Sequence, residues 1–220
     1  MQIAIPIYDR FALLDAIGPY EVLAAIPGAE VSFLGPRAGP VRSERGTPAL
    51  VADGRWEDIP RPDVVVVPGG SGAQILLDDE RLLGWLREAH RETRYTTSVC
   101  TGALLLAGAG LLDGVDATAH WSQLDQLAEL GAHPVAERVV ERGRIVTGAG
   151  VSAGIDMALR LVELLTSAEL AQAIQLGIEY DPQPPFDTGA PAKAPTEMVT
   201  LVRAALAAQE AEAVAEAAGR

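Results

Sequence analysis

One cysteine, three histidines and three methionines leave several kinds of chemistry little to work with in this 220-residue chain. A lone cysteine closes no internal disulfide, and within one chain it offers no thiolate cluster for zinc or iron–sulfur sites. Positive charge is also scarce. Seventeen basic against 30 acidic residues give a formal net charge of −13, which repels nucleic-acid phosphates and anionic membranes. The longest near-apolar stretch, Gly102 to Leu112, is far short of the roughly 18 residues a membrane span needs. No charged-then-apolar leader opens the chain, so a cytoplasmic protein is expected. Hydrophobic residues, by contrast, make up 49% of the chain, enough for one substantial core.

Strand and helix patterns alternate. Gln2–Tyr8 reads as a strand, and Leu13–Ile26 as a helix that Gly18-Pro19 should interrupt or kink. Ala29–Gly35 is a second strand, with short ones expected at Val41–Arg42 and Ala49–Val51. Asp63–Pro68 (DVVVVP) is an unbroken β-branched run, as a strand buried on both faces requires. A helix over Asp79–Glu92, a strand over Tyr95–Val99 and an apolar helix over Thr101–Ala109 follow. Ser122–Leu130 and Ile155–Leu165 read as helices, flanking a hairpin of Glu137–Glu141 and Arg144–Thr147. This alternation implies a doubly wound α/β sheet with ligands outside the carboxyl ends of its strands. Asp181–Pro195 holds five prolines and reads as an extended arm. Thr196–Ala218 reads as an amphipathic surface helix with a solvated acidic face.

Two glycine-rich turns lie at strand ends. Gly69-Gly70-Ser71-Gly72 has neither the GxGxxG spacing nor a GK[ST] ending, and Gly148–Gly154 has no ribose-binding acid about 20 residues on. Neither predicts a nucleotide site. Gly69-Gly70 is nevertheless placed to offer backbone amides to an anion.

Tyr95–Leu104 carries the chemistry. A strand runs directly into Cys100 and a helix starts at once, with the small Ser98 and Gly102 on either side. That pattern is a nucleophile elbow with cysteine in place of serine. The helix N-terminus is expected to lower the thiol pKa. The alternative, a buried cysteine acting as a small hydrophobe, leaves the elbow unexplained. No histidine follows the cysteine, since that position is Thr101. His90 is expected on the solvated side of its helix and His133 in a structural loop; His120, beside Trp121, is expected packed near the sheet edge. A Cys–His–Asp triad is not indicated. Asp15 stands in an otherwise apolar run, where a carboxylate is expensive to bury unpaired. Next to a thiolate its pKa would rise, so it could hold and deliver a proton at neutral pH. Glu21 is the competing acid, and both stay open.

These segments resemble the ThiJ/PfpI superfamily, and within it the isocyanide hydratases. The matching stretches are Leu14–Leu23, Val65–Gly72, Thr97–Gly114, Ala117–Trp121, Gly148–Leu159 and Glu179–Pro191. The resemblance implies a flavodoxin-like three-layer α/β sandwich with a mostly parallel sheet, forming homodimers. One amidotransferase-like domain would span residues 1–195, including the arm at 181–195, with residues 196–220 a helix packed on it or on a partner chain. Cys100 matches the nucleophile, Asp15 the acid and Thr101 the residue after the nucleophile. Amides near Gly69 and Gly70 would meet developing negative charge, and His120 would support the pocket. The implied reaction adds water to an organic isocyanide, giving an N-substituted formamide, with no metal or organic cofactor. Thr101 departs from the histidine of the protease-like members. Runner-up readings are a glyoxalase- or deglycase-like activity on 2-oxoaldehydes and a non-catalytic redox-responsive or chaperone-like role.

Overall fold

The computed structural model describes residues 1–219. In chain order the elements are β1 (Gln2–Pro6), α1 (Leu13–Leu23), β2 (Glu30–Gly35), β3 (Gly39–Arg42), β4 (Ala49–Ala52), β5 (Gly54–Arg55), β6 (Val64–Val67), α2 (Glu80–Glu92) and β7 (Tyr95–Val99). They continue with α3 (Gly102–Gly108), β8 (Asp116–Ala117), α4 (Leu124–Glu129), β9 (His133–Pro134), β10 (Val139–Arg142), β11 (Ile145–Gly148), α5 (Ala153–Leu165), α6 (Ala168–Gly177) and α7 (Thr196–Ala218).

Seven strands form one sheet in the order β10-β11-β7-β6-β1-β2-β5. All its pairings are parallel except β10 with β11. All four valines of β6 are fully buried, as expected at the centre of a parallel sheet covered on both faces. Two helix groups flank it: α1 packs on α5 and α5 on α6, while α3 packs on α2 and α4. The chain leaves β1 for β2 on one side and returns to β6 on the other. The crevice between β1 and β6 is therefore the switch point where an open α/β sheet holds its ligand. β3 and β4 form a separate antiparallel hairpin.

Two expectations need correction. The first concerns α1, which runs unbroken through Gly18-Pro19. Pro19 removes one intrahelical donor, but packing supports the helix there, with Gly18 facing Ile155 and the Pro19 ring facing Gly154 of α5. The second concerns α7. Met198, Leu201, Val202 and Val214 are exposed, and Ala213 is its one buried residue. Of its acids, Glu197, Glu212 and Glu216 are solvent-exposed as expected, Glu216 pairing with Arg10, while half-buried Glu210 turns inward and accepts from Gln123 Nε2 at 2.6 Å. The helix lies against the 3-10 segment Ser71–Leu76, which follows the Gly69-Gly70 turn.

Candidate active site

β7 ends at Val99 and α3 begins at Gly102, so Cys100 and Thr101 make the whole connection. Cys100 has φ = +59°, a conformation that L residues adopt only when the surroundings hold them there. Its N–H is directed at two carbonyls, Gly148 O at 3.0 Å and Ala149 O at 2.8 Å. The second glycine-rich turn thus grips the cysteine backbone. On the other side, a Cβ at Gly102 would stand 2.2 Å from the Val67 carbonyl oxygen, so only glycine lets α3 start this close to β6. Cys100 is 6% exposed, and the N–H groups of Val151 and Thr101 face its sulfur.

The loop after β6 arranges three side chains with three consecutive amides. Gly69 N donates to Asp15 Oδ2 at 2.9 Å, Gly70 N to Thr101 Oγ1 at 2.8 Å, and Ser71 N to Glu44 Oε2 at 3.1 Å. Gly70 has φ = +119°, and a Cβ there would come within 2.4 Å of Ala12 N. Tyr8 OH anchors the loop's start by donating to Pro68 O at 2.7 Å. Asp15 is completely buried, and its Oδ1 has no hydrogen-bond partner among the described residues.

Burial pushes the Asp15 carboxyl up to about 7; the Glu44 charge adds to this, while the Gly69 N–H and the Cys100 thiol oppose it. Asp15 and Cys100 therefore hold a proton between them through neutral pH. The expected lowering of the thiol pKa is overturned. Burial, then the neighbouring Asp15 charge, raises it well above the free value despite the Val151 and Thr101 amides. A seven-residue helix cannot offset that desolvation.

Position separates the candidate acids and histidines cleanly. Asp15, Thr101, Gly69 and Gly70 converge on Cys100, whereas Glu21 is exposed on α1. The anion-binding role expected for Gly69 and Gly70 needs correction, because both N–H groups are already given to Asp15 and Thr101. Thr101 Oγ1 also donates back to Gly70 O at 3.1 Å, so its hydroxyl proton is committed. His120 is the packed histidine expected. Its Nδ1 lies 2.7 Å from Ser122 Oγ and its ring abuts Gly150, in the turn that grips Cys100. Burial, with Arg203 nearby, holds its pKa below the ordinary value, favouring the neutral ring. His133 is exposed beside Asp116. His90 is not solvated as expected; it is partly buried, with Nδ1 2.8 Å from Thr96 Oγ1.

Two site residues escape a reading of the sequence. Tyr8 is buried, and burial together with the Asp15 and Cys100 charges raises its pKa. Glu44 sits in a Ser-Glu-Arg stretch whose only sequence signal is polarity. It reaches the site because Ser43 bridges to Phe11 and Glu44 N donates to Phe11 O at 2.9 Å. Among the described residues no group of three or more His, Cys, Asp and Glu could hold a metal ion.

A parallel α/β sheet with an acid and a strained cysteine at its switch point defines a class of protein with one built thiol site. The DJ-1/PfpI family model matches residues 1–164, and the chain belongs to that family. It is 44% identical over 203 residues to the isonitrile hydratase of Pseudomonas putida, covering 92% of this chain and 89% of the relative. A crystal structure of a ThiJ/PfpI family protein from Pseudomonas syringae superposes with a TM-score of 0.91 at 36% identity, covering 97% of this chain and 89% of that one. A glutathione-independent glyoxalase of Caenorhabditis elegans is 24% identical over 149 residues, 67% of this chain and 79% of the relative.

Proposed function

We propose that this chain hydrates an organic isocyanide to an N-substituted formamide, with Cys100 as nucleophile and Asp15 as proton carrier. The observation that carries the reading is a fully buried carboxyl with a pKa of about 7 set against the family's cysteine. The likeness to an isonitrile hydratase supports the substrate class.

The proton count closes with these residues. Asp15 as carboxylate takes the thiol proton while sulfur attacks the terminal isocyanide carbon, so no preformed thiolate is needed. Asp15 then gives that proton to the same carbon, leaving a thioimidate, R–N=CH–S–Cys100. Water gives one proton to Asp15 as its oxygen attacks the imidate carbon, and Asp15 passes that proton to the nitrogen. The C–S bond then breaks as the hydroxyl of the adduct becomes the carbonyl, and the hydroxyl proton returns through Asp15 to sulfur, restoring the thiol and leaving R–NH–CHO. The Thr101 hydroxyl, whose proton goes to Gly70 O, keeps a lone pair to receive that water. The Val151 and Thr101 amides stabilise negative charge on the attacking and leaving sulfur.

Cys100→Ala should abolish formamide formation from alkyl and aryl isocyanides followed by mass spectrometry; retained turnover would sink the scheme. The glyoxalase reading uses the same cysteine and has a distant relative in its favour. Production of lactate from methylglyoxal, with no formamide from any isocyanide, would establish that reading instead. A redox-responsive role fits less well, because a buried thiol with a raised pKa presents little thiolate to an oxidant. A homodimer would give cover to exposed Leu176, Ile178, Phe186 and Leu201, and sedimentation at micromolar concentration tests it.

A further inference from the structure

We propose that Glu44 is a positioning residue for the Asp15–Cys100 pair, its carboxylate held in the same row of loop amides that places Asp15 and Thr101. The inference rests on the reading of that pair as the reacting groups. Gly69, Gly70 and Ser71 are consecutive, and each donates its N–H to a different side chain, in turn Asp15, Thr101 and Glu44. Two of these belong to the reacting pair's immediate surroundings, and the third is an acid from a remote hairpin. A carboxylate does not reach this position by default. The Glu44 backbone is tied to Phe11, which precedes α1, and its Oε2 is also met by Gln209 Nε2 of α7 at 3.4 Å. Glu44 is thus clamped from the loop, the α1 entry and the terminal helix.

The charge so placed bears on the whole pocket. Asp15 is faced by Cys100 from the elbow, by Tyr8 from the end of β1 and by Glu44 from beyond β3. Glu44 in turn faces Glu210 of α7. A fixed negative charge near the pair disfavours its losing a proton, so it helps keep one proton available at neutral pH. Glu44 touches no reacting atom in the proposed chemistry. It acts through Asp15 and Cys100.

The test reads the pair without an isocyanide. Cys100 is the chain's single cysteine, so the rate of iodoacetamide incorporation against pH reports this site alone. Glu44→Gln keeps an acceptor for Ser71 N–H and removes the charge. Its inflection is expected to move to lower pH by about half a unit, making alkylation near pH 6 about threefold faster. Glu44→Asp, which keeps the charge on a shorter arm, should shift less in the same direction. It also serves as the readable variant should the glutamine protein fail to fold. Rates that change evenly across pH, or an inflection that stays put in both variants, would overturn the proposal and leave Glu44 a structural tie. Absence of hydratase activity in the wild type would defeat the proposed function but leave this titration readable.

Discussion

Asp15 loses its water on folding, and Gly69 N–H and the Cys100 thiol only partly compensate. The same carboxyl titrates near 3.8 when solvated and about 7 in the fold. Between those values the native state holds a proton that the unfolded chain has released. The stability this contributes is complete below pH 4 and is lost as pH rises through 7. The whole effect is on the order of 4 kcal/mol. Asp15→Asn removes this slope. Urea titrations should show its unfolding free energy gaining on the wild type between pH 5 and pH 8, and a gap constant with pH would contradict a buried proton-holding acid. At this scale the sequence was informative about Cys100, because a cysteine between a strand and a helix with small neighbours has few other uses. It could not separate Asp15 from Glu21. Both lie on one helix, and what divides them is which face meets the loop after β6. Tyr8 and Glu44 were illegible for a related reason, since neither carries a local pattern and both arrive through long-range contacts.

Turns rather than helices set the geometry of the site. Gly70 combines a positive φ with the backbone of Arg10–Ala12 pressed against the place a Cβ would take, so Gly70→Ala should cost at least about 2 kcal/mol in urea unfolding and weaken thiol alkylation as well. Gly177→Ala makes the matched control. A Cβ there meets nothing within 4 Å, and stability should hold or rise slightly. A Gly70 variant as stable as that control would mean that the loop is not the fixed element described. Strands such as β6 were plain in the sequence because an all-valine segment admits few alternatives. The helix at Ala168–Gly177 was not, since it buries only Ile174 and forms on a Ser167 cap and good helix formers rather than on an apolar stripe. The end of the chain shows the opposite failure. The bounds of α7 follow from composition, yet its orientation does not, because Glu210 and Glu216 answer to Gln123 and Arg10 on distant parts of the chain.

Across the whole molecule the hydrophobic core lies almost entirely before the proline-rich arm, with Ala213 the one buried residue beyond it among the described residues. A chain ending at Pro195 should therefore still unfold cooperatively in urea. It would uncover the cavity of about 260 Å3 that Ala213 and Ala217 help to close beside Tyr8 and Trp56. It would also release Glu44 from Gln209, so its alkylation profile should differ from the wild type while its urea transition stays cooperative. Loss of cooperative unfolding would make α7 part of the core. The row of three amides has a further consequence. Asp15, Thr101 and Glu44 come from three distant parts of the chain, but each takes its position from one short stretch of backbone. Gly69–Ser71 serves them as a common datum, in the way parts bolted to one template keep their spacing when the frame around them flexes.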